Sequence, residues 1–265
     1  MEMPKKREWE FADKVRWDAR YVPELFLVAP LGVEPVCCEE NQAVCEGESN
    51  LTTREKILYE ALTLFSSYGY EAVTIREIAG AVGIKESSLY NHFKNKRNIL
   101  DTIVRETFQR YQKTLESLQV PKTGDPNISS LYDSFSDEAF ETLCTNIFLF
   151  YLKDDYISKL RRLLTIEQYG NQELGEIFRT TFIENILDNQ AKVLQQFIDD
   201  GRFIQGDAYT MALHFYAPVF LLLHKYDNNT KDEAQAIEEL KRHVRQYNHL
   251  YRKQNRRISN NESTD

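Results

Sequence analysis

Residues 85–97 hold a close series of polar side chains of the kinds that read DNA base pairs. Leu89 and Phe93 are spaced to face a core from a short helix predicted over 86–92, so the other positions of that helix must face solvent. These outward positions are Lys85, Glu86, Ser88 and Asn91. Lysine can donate to guanine, a carboxylate can accept from cytosine, and asparagine can bridge adenine. The set can therefore discriminate among base sequences.

The neighbouring side chains suit the phosphate backbone instead. Tyr90 and His92 carry polar tips on short, stiff side chains, as a groove edge requires. Lys96 and Arg97 follow Asn95, the expected cap of the next helix, where a cation opposes the helix dipole at a cost of about 0.3–1 kcal/mol. A phosphate bound there would offset that cost. A solvated basic turn with nothing bound is the alternative.

Helix-start and helix-stop signals frame these side chains. Thr52 with Glu55, and Thr74 with Glu77, have the spacing of a capping box, in which hydroxyl and carboxylate bond the first free amides of a helix. Gly83 can adopt a positive φ without steric cost, which predicts a tight turn between two helices. The pattern therefore predicts a helix-turn-helix.

The charge distribution agrees with one DNA-facing region. The whole chain has a net charge of −8, yet residues 51–100 carry seven Lys or Arg against five Glu. Residues 101–265 carry twenty basic against twenty-five acidic residues. A slightly basic region on an acidic body suits a protein that touches DNA with one face. Arg76 could also reach a base or a phosphate, although an ordinary surface arginine paired with a glutamate is equally compatible.

Taken together, these residues resemble the TetR/AcrR family of bacterial transcriptional regulators. The shared pattern covers residues 51–100 and consists of Thr74, Ile78 with Ala79, Gly83 with Ile84, Leu89 through Phe93, and Lys96. The resemblance implies an all-α homodimer with an N-terminal three-helix DNA-binding head and a larger helical domain for dimerisation and ligand binding.

The resemblance also implies roles by position. Phosphate contacts would fall to Thr74, Tyr90, His92 and Lys96, and base contacts to Lys85, Glu86, Ser88 and Asn91. The turn departs from the frequent family pattern at Lys85, Glu86 and Ser87, so Ser87 joins the DNA-facing candidates while the operator sequence stays open.

Four segments are predicted along the chain. Residues 1–50 lack a sustained hydrophobic period and are expected to be a poorly ordered extension, 51–100 form the DNA-binding head, 101–252 form the helical body, and 253–265 are a disordered tail. Helices are expected over 52–68, 74–82, 86–92, 96–119, 129–153, 155–168, 172–200, 207–226 and 231–252.

Two long amphipathic helices, 172–200 and 207–226, are the candidates for dimerisation. A face on each would build a four-helix bundle across a twofold axis. Such symmetry predicts a palindromic operator read by recognition helices about 34–36 Å apart. The alternative is that both helices only fill the core of the subunit.

Aromatic side chains in the predicted body could line a pocket for an apolar or amphipathic small molecule. The candidates are Phe140, Phe148, Tyr151, Phe178, Phe182 and Phe215. Plain core packing is the alternative. No cofactor or metal is expected, because Cys37, Cys38 and Cys45 lack a histidine or fourth cysteine at zinc-finger spacing, and Cys144 suits a core position.

Other function classes find little support. The sequence contains no phosphate-cradling Gly-rich loop, no His-Glu-x-x-His and no Gly-x-Ser-x-Gly, so an enzyme is not expected. Without an apolar run of about 20 residues or a secretory signal, we expect a cytoplasmic protein with no membrane partner. We predict a homodimeric repressor that a small-molecule effector releases from a double-stranded DNA operator. Control by a protein partner is the alternative.

Overall fold

The computed structural model describes residues 51–117, 127–134, 136–227 and 232–253. The described residues form helices and no β-strand, with one isolated antiparallel bridge between Phe203 and Arg252. The all-α prediction is confirmed. None of the described helices is both long and apolar enough to cross a membrane. The predictions for residues 1–50, including Cys37, Cys38 and Cys45, and for 254–265 lie outside the described residues.

Three short helices and the start of a fourth form the N-terminal part, the head. They are α1 (Thr53–Tyr68), α2 (Ile75–Val82), α3 (Glu86–Tyr90) and α4 (Lys96–Ser117). Both predicted capping boxes are present at Thr52 and Thr74. Helix α3 ends two residues before its predicted end, because the amide of His92 bonds the carbonyl of Leu89 at 2.9 Å and so tightens the last turn.

The body contains α5 (Ile128–Ser134), α6 (Asp137–Lys153), α7 (Asp155–Glu167), α8 (Gln172–Arg179), α9 (Asn185–Asp199), α10 (Ala208–Lys225) and α11 (Glu233–Tyr251). The helix predicted over 129–153 is divided, since the Ser136 hydroxyl accepts from the Ala139 amide at 3.1 Å and starts α6 anew. The helix predicted over 172–200 contains a π-helical turn, Thr180–Glu184, between α8 and α9.

One continuous hydrophobic core joins head and body. Helix α1 packs on α2, α4 and α7, while α9 packs along α10, and α11 packs on α6 and α10. Cys144 is buried in this core, and burial raises the pKa of its thiol, which agrees with its predicted role as a small core residue. Because α1 and α4 both contact α7, the head is packed directly against the body.

Polar contacts across this junction involve the end of α1. The backbone amide of Tyr70 donates to the buried carboxylate of Glu167 at 2.7 Å. Gly69 has a φ of 86°, and a Cβ at that position would lie 3.0 Å from the same carboxylate. A glycine therefore suits both the backbone conformation and the close approach.

Arg97 also faces the body. Its guanidinium pairs with Asp101 on α4 and with Glu173 on α8, and these bonds raise its pKa. The phosphate contact expected of Arg97 is therefore replaced by a contact between head and body, in which two carboxylates neutralise its charge.

Candidate nucleic-acid interface

The turn between α2 and α3 fixes the orientation of α3. Gly83 adopts a left-handed conformation with φ 77° and ψ 28°, and the Ile84 amide closes the turn on the carbonyl of Ala79 at 2.9 Å. Leu89 is 0% exposed and Phe93 is 3% exposed. With these two side chains fixed in the core, the opposite side of α3 must face solvent.

The DNA-facing candidates lie on that solvent side or at the start of α2. Eight of the ten are exposed: Thr74, Arg76, Lys85, Glu86, Ser87, Tyr90, Asn91 and His92. Ser88 and Lys96 are half-buried. Within the described ranges, the side chains of Lys85, Asn91 and His92 make no hydrogen bond or ion pair. These side chains can therefore bond to a ligand without breaking an internal contact.

Thr74 organises the first turn of α2. Its hydroxyl donates to the carboxylate of Glu77 at 2.8 Å, and the backbone amide of Glu77 donates back to the hydroxyl at 3.2 Å. Hydrogen bonds from the amide and hydroxyl of Thr74 lower the pKa of Glu77. Thr74 thus sets the direction of the helix that precedes the turn, whatever else it contacts.

Lys96 lies in a different environment from the free cation that the sequence suggests. Its ammonium donates to the carbonyls of Tyr70 at 2.8 Å and Val73 at 2.9 Å, and more weakly to that of Glu71 at 3.4 Å. The same ammonium lies 4.3 Å from the centroid of the Tyr70 ring. Lys96 therefore holds the loop that leads into Thr74.

Sequence reasoning missed the groups that support this surface. Arg54 on α1 lies 5.5 Å from the centroid of the Phe93 ring and pairs with Glu106 on α4 at 2.6 Å. Glu167 and Glu173, from the body, bind Tyr70 and Arg97 in the head. No local pattern could reveal these contacts, since the partners are distant in sequence.

The predicted pocket residues divide between two groups of touching rings and one separate position. Tyr151, Phe178 and Phe182 belong to one group of touching rings, which we call the first aromatic cluster, formed by Tyr111, Phe150, Tyr151, Phe178, Phe182, Tyr216 and Phe220. Phe140 and Phe215 belong to a second aromatic cluster, formed by Tyr132, Phe140, Phe197, Phe203, Phe215 and Tyr247. Phe148 is fully buried in the core and belongs to neither.

The two predicted dimerisation helices differ in what they expose. The apolar residues of 172–200 are mostly buried within the subunit, namely Ile177, Phe178, Ile186, Leu187, Val193, Leu194 and Phe197. Helix α10 instead exposes Tyr209 (47%), Leu213 (45%) and Leu221 (64%) at helical spacing. Of this pair, only α10 exposes large apolar side chains to solvent.

The described residues contain no group of His, Cys, Asp and Glu side chains that could hold a metal ion.

Comparisons with known proteins agree with this arrangement. A family model described as bacterial regulatory proteins, tetR family, matches residues 57–103. The chain is 28% identical over 158 residues to the transcriptional repressor KstR2 of Mycolicibacterium smegmatis, covering 57% of this chain and 67% of that protein. It is 29% identical over 150 residues to IcaR, the negative transcriptional regulator of the biofilm operon of Staphylococcus aureus. The match covers 56% of this chain and 71% of that protein.

Solved structures share the fold at lower identity. SmeT, the repressor of the Stenotrophomonas maltophilia multidrug efflux pump SmeDEF, aligns with a TM-score of 0.54 and 21% identity over 78% of this chain and 93% of that chain. A SmeT–triclosan complex aligns with a TM-score of 0.55 and 22% identity, covering 77% of this chain and 93% of that chain.

Proposed function

We propose that this chain, a member of the TetR family of bacterial regulatory proteins and not an enzyme, is a homodimeric DNA-binding repressor that a small-molecule effector releases from a palindromic operator. The observation that carries the proposal is the exposed polar side of α3, held outward by the burial of Leu89 and Phe93 after the Gly83 turn.

The proposed roles of the candidate residues follow from their chemistry. Lys85, Glu86, Ser87, Ser88 and Asn91 contact base edges in the major groove. The polar tips of Tyr90 and His92 contact phosphates, and so do Thr74 and Arg76 at the start of α2. Lys96 supports this set indirectly, because its ammonium donates to the carbonyl of Val73, the residue before Thr74.

Dimerisation is proposed to use the exposed apolar face of α10. Tyr209, Leu213 and Leu221 leave apolar area in water that a twofold contact would bury. The twofold relation would present two copies of α3 to successive major grooves.

Sedimentation should give a dimer, and Leu213→Glu together with Leu221→Glu should give monomers that lose operator affinity. A wild-type chain that sediments as a monomer at operator-binding concentrations would contradict this assembly.

Effector control is supported by the aromatic body and by the fold shared with a regulator whose structure contains triclosan. Helix α4 runs from the head into the body, and Arg97 joins it to α8. A ligand that prefers a different spacing of the two heads would lower operator affinity. Control by a protein partner is the second candidate. A purified dimer that keeps its operator against a wide panel of small molecules would favour it.

The DNA-binding proposal is tested by two exposed tyrosines. Tyr90→Phe removes the hydroxyl proposed to bond a phosphate and should weaken binding about tenfold, to a similar degree on every duplex tested. Tyr68→Phe is the matched control, since Tyr68 is 69% exposed at the end of α1, outside the turn and α3. Asn91→Ala should instead change which duplex is preferred.

Gel-shift titrations on duplexes selected by the wild-type protein measure all three variants. Equal affinities for Tyr90→Phe and Tyr68→Phe, together with an unchanged preference for Asn91→Ala, would contradict the assignment of α3 as the recognition helix.

A further inference from the structure

Arg161 is the most deeply buried charged residue among those described. It lies on α7 and is 1% exposed. Its Nη2 lies 2.9 Å from Asp227 Oδ1, just beyond the end of α10. The same oxygen accepts from Nε of the neighbouring Arg162 at 2.9 Å. Two guanidinium groups therefore share one carboxylate.

The hydrogen bonds of Arg161 are incomplete within the described residues. Its Nε has no acceptor, and its Nη2 approaches Asp227 without the alignment of a hydrogen bond. An unpaired donor on a buried charge is costly, because neither water nor a protein acceptor replaces the lost hydration. Because buried polar groups in folded proteins are nearly always hydrogen-bonded, these unpaired donors indicate a position where an acceptor can bind.

Helix α7, which carries Arg161, packs on α6 and α8, the helices that carry Tyr151 and Phe178 of the first aromatic cluster. Burial raises the pKa of Tyr216, and the positive charge of Arg161 opposes that rise. The polar atoms of that cluster are already engaged. Tyr216 donates to the carbonyl of Phe182 at 2.6 Å, and the hydroxyls of Tyr111 and Tyr151 bond each other at 2.6 Å.

We propose that Arg161 is the charged end of the effector site and that the effector is an apolar molecule carrying a carboxylate. This inference rests on the proposed effector control. The carboxylate accepts from Nε and Nη2 of Arg161, in the two-point geometry that a guanidinium favours. The apolar part lies against Phe178 and Phe182.

The competing explanation is a purely structural ion pair that ties α7 to the end of α10. That explanation predicts a loss of stability when Arg161 is replaced, but no preference between charged and neutral ligands. Ligand preference therefore separates the two explanations, whereas thermal stability alone does not.

The test measures binding of octanoate, dodecanoate and palmitate to the full-length protein by calorimetry, with 1-dodecanol as the neutral counterpart of dodecanoate. At neutral pH the wild-type protein should bind dodecanoate at least about tenfold more tightly than dodecanol, as one charge-assisted hydrogen bond in a buried site provides. Arg161→Met should lose that preference.

Arg162→Met is the matched control, because Arg162 pairs with the same Asp227 from a partly exposed position, and it should keep the preference. Arg161→Lys, which retains charge but not the two-point geometry, should show a smaller one. A wild-type protein that binds none of the carboxylates, or binds dodecanol equally well, overturns the proposal even if Arg161→Met does not fold. A preference that survives in Arg161→Met also overturns it.

Gel shifts with the same ligands separate this inference from effector control. If dodecanoate binds through Arg161 but does not displace the protein from the operator, effector release is refuted and the binding site at Arg161 is supported. If dodecanoate and dodecanol release the operator at equal concentrations, the carboxylate site at Arg161 is refuted and effector control is supported.

Discussion

The head and the body satisfy their polar groups in different ways. In the head, Thr52 and Thr74 bond to glutamates three residues away, and the side chains on the outer side of α3 remain in water. In the body, Arg161 and Glu167 are buried charges whose partners lie far along the chain. Local signals therefore specify the proposed DNA-reading surface, whereas long-range packing specifies the proposed sensing part.

The largest expected effect comes from removing the core residue that orients the head. Leu89→Ala deletes a fully buried side chain from a helix of five residues and should lower the free energy of unfolding by about 2–5 kcal/mol. Urea unfolding measures the change, and operator binding should fall with it. If Leu89→Ala unfolds like the wild type, α3 is not held by the core as described.

Glu167→Ala tests whether the junction between head and body depends on a distant partner. It leaves the buried Tyr70 amide without its acceptor and should lower the free energy of unfolding by about 1–3 kcal/mol. Glu167→Gln keeps a side-chain oxygen as acceptor and should lose less. Hydrogen exchange at the Tyr70 amide is the direct readout. Equal exchange rates in the alanine variant and the wild type would show that the bond does not protect the junction.

Two equivalent caps separate stability from DNA contact. Thr52→Ala and Thr74→Ala should each lower the free energy of unfolding by about 1 kcal/mol, because each removes a helix cap. Operator affinity should fall only for Thr74→Ala, since Thr52 lies outside the proposed interface. Urea unfolding measures the stability of both variants, and gel shifts measure their operator affinity. An equal loss of operator affinity in Thr52→Ala would remove Thr74 from the proposed contacts.

The smallest effect is a pH dependence of the caps. Hydrogen bonds from Thr74 hold the pKa of Glu77 below its ordinary value of 4.5. The stabilisation is therefore complete above pH 4.5 and is lost as the pH falls through the lower folded-state pKa. Glu77→Gln keeps a hydrogen-bond acceptor that does not titrate, so its unfolding midpoint should depend less on pH in this acid range. An unchanged acid dependence would contradict the assigned cap.

Sequence predicted the elements that short-range rules control. The two capping boxes and the Gly83 turn are confirmed, and so are the inward positions of Leu89 and Phe93. Each depends on residues within one or two turns of a helix, so their spacing was visible in the chain.

The remaining features depend on packing between distant segments. The ammonium of Lys96 bonds to carbonyls in a preceding loop, and Arg97 reaches a carboxylate on α8. Hydrophobic periodicity showed that the aromatic residues face inward, but not that they divide into two clusters. The π-helical turn at Thr180–Glu184 also has no distinct sequence pattern.

The most direct test of the proposed recognition surface is hydroxyl-radical footprinting of the full-length protein on a duplex selected from random sequence. Two protected patches, related by symmetry and centred about 10 base pairs or a multiple of that apart, are expected if each of two subunits places α3 in a major groove. Protection should disappear when Lys85, Tyr90 and Asn91 are replaced together by alanine, with the fold retained. Protection that survives this triple replacement would contradict the claim that the exposed side of α3 reads DNA.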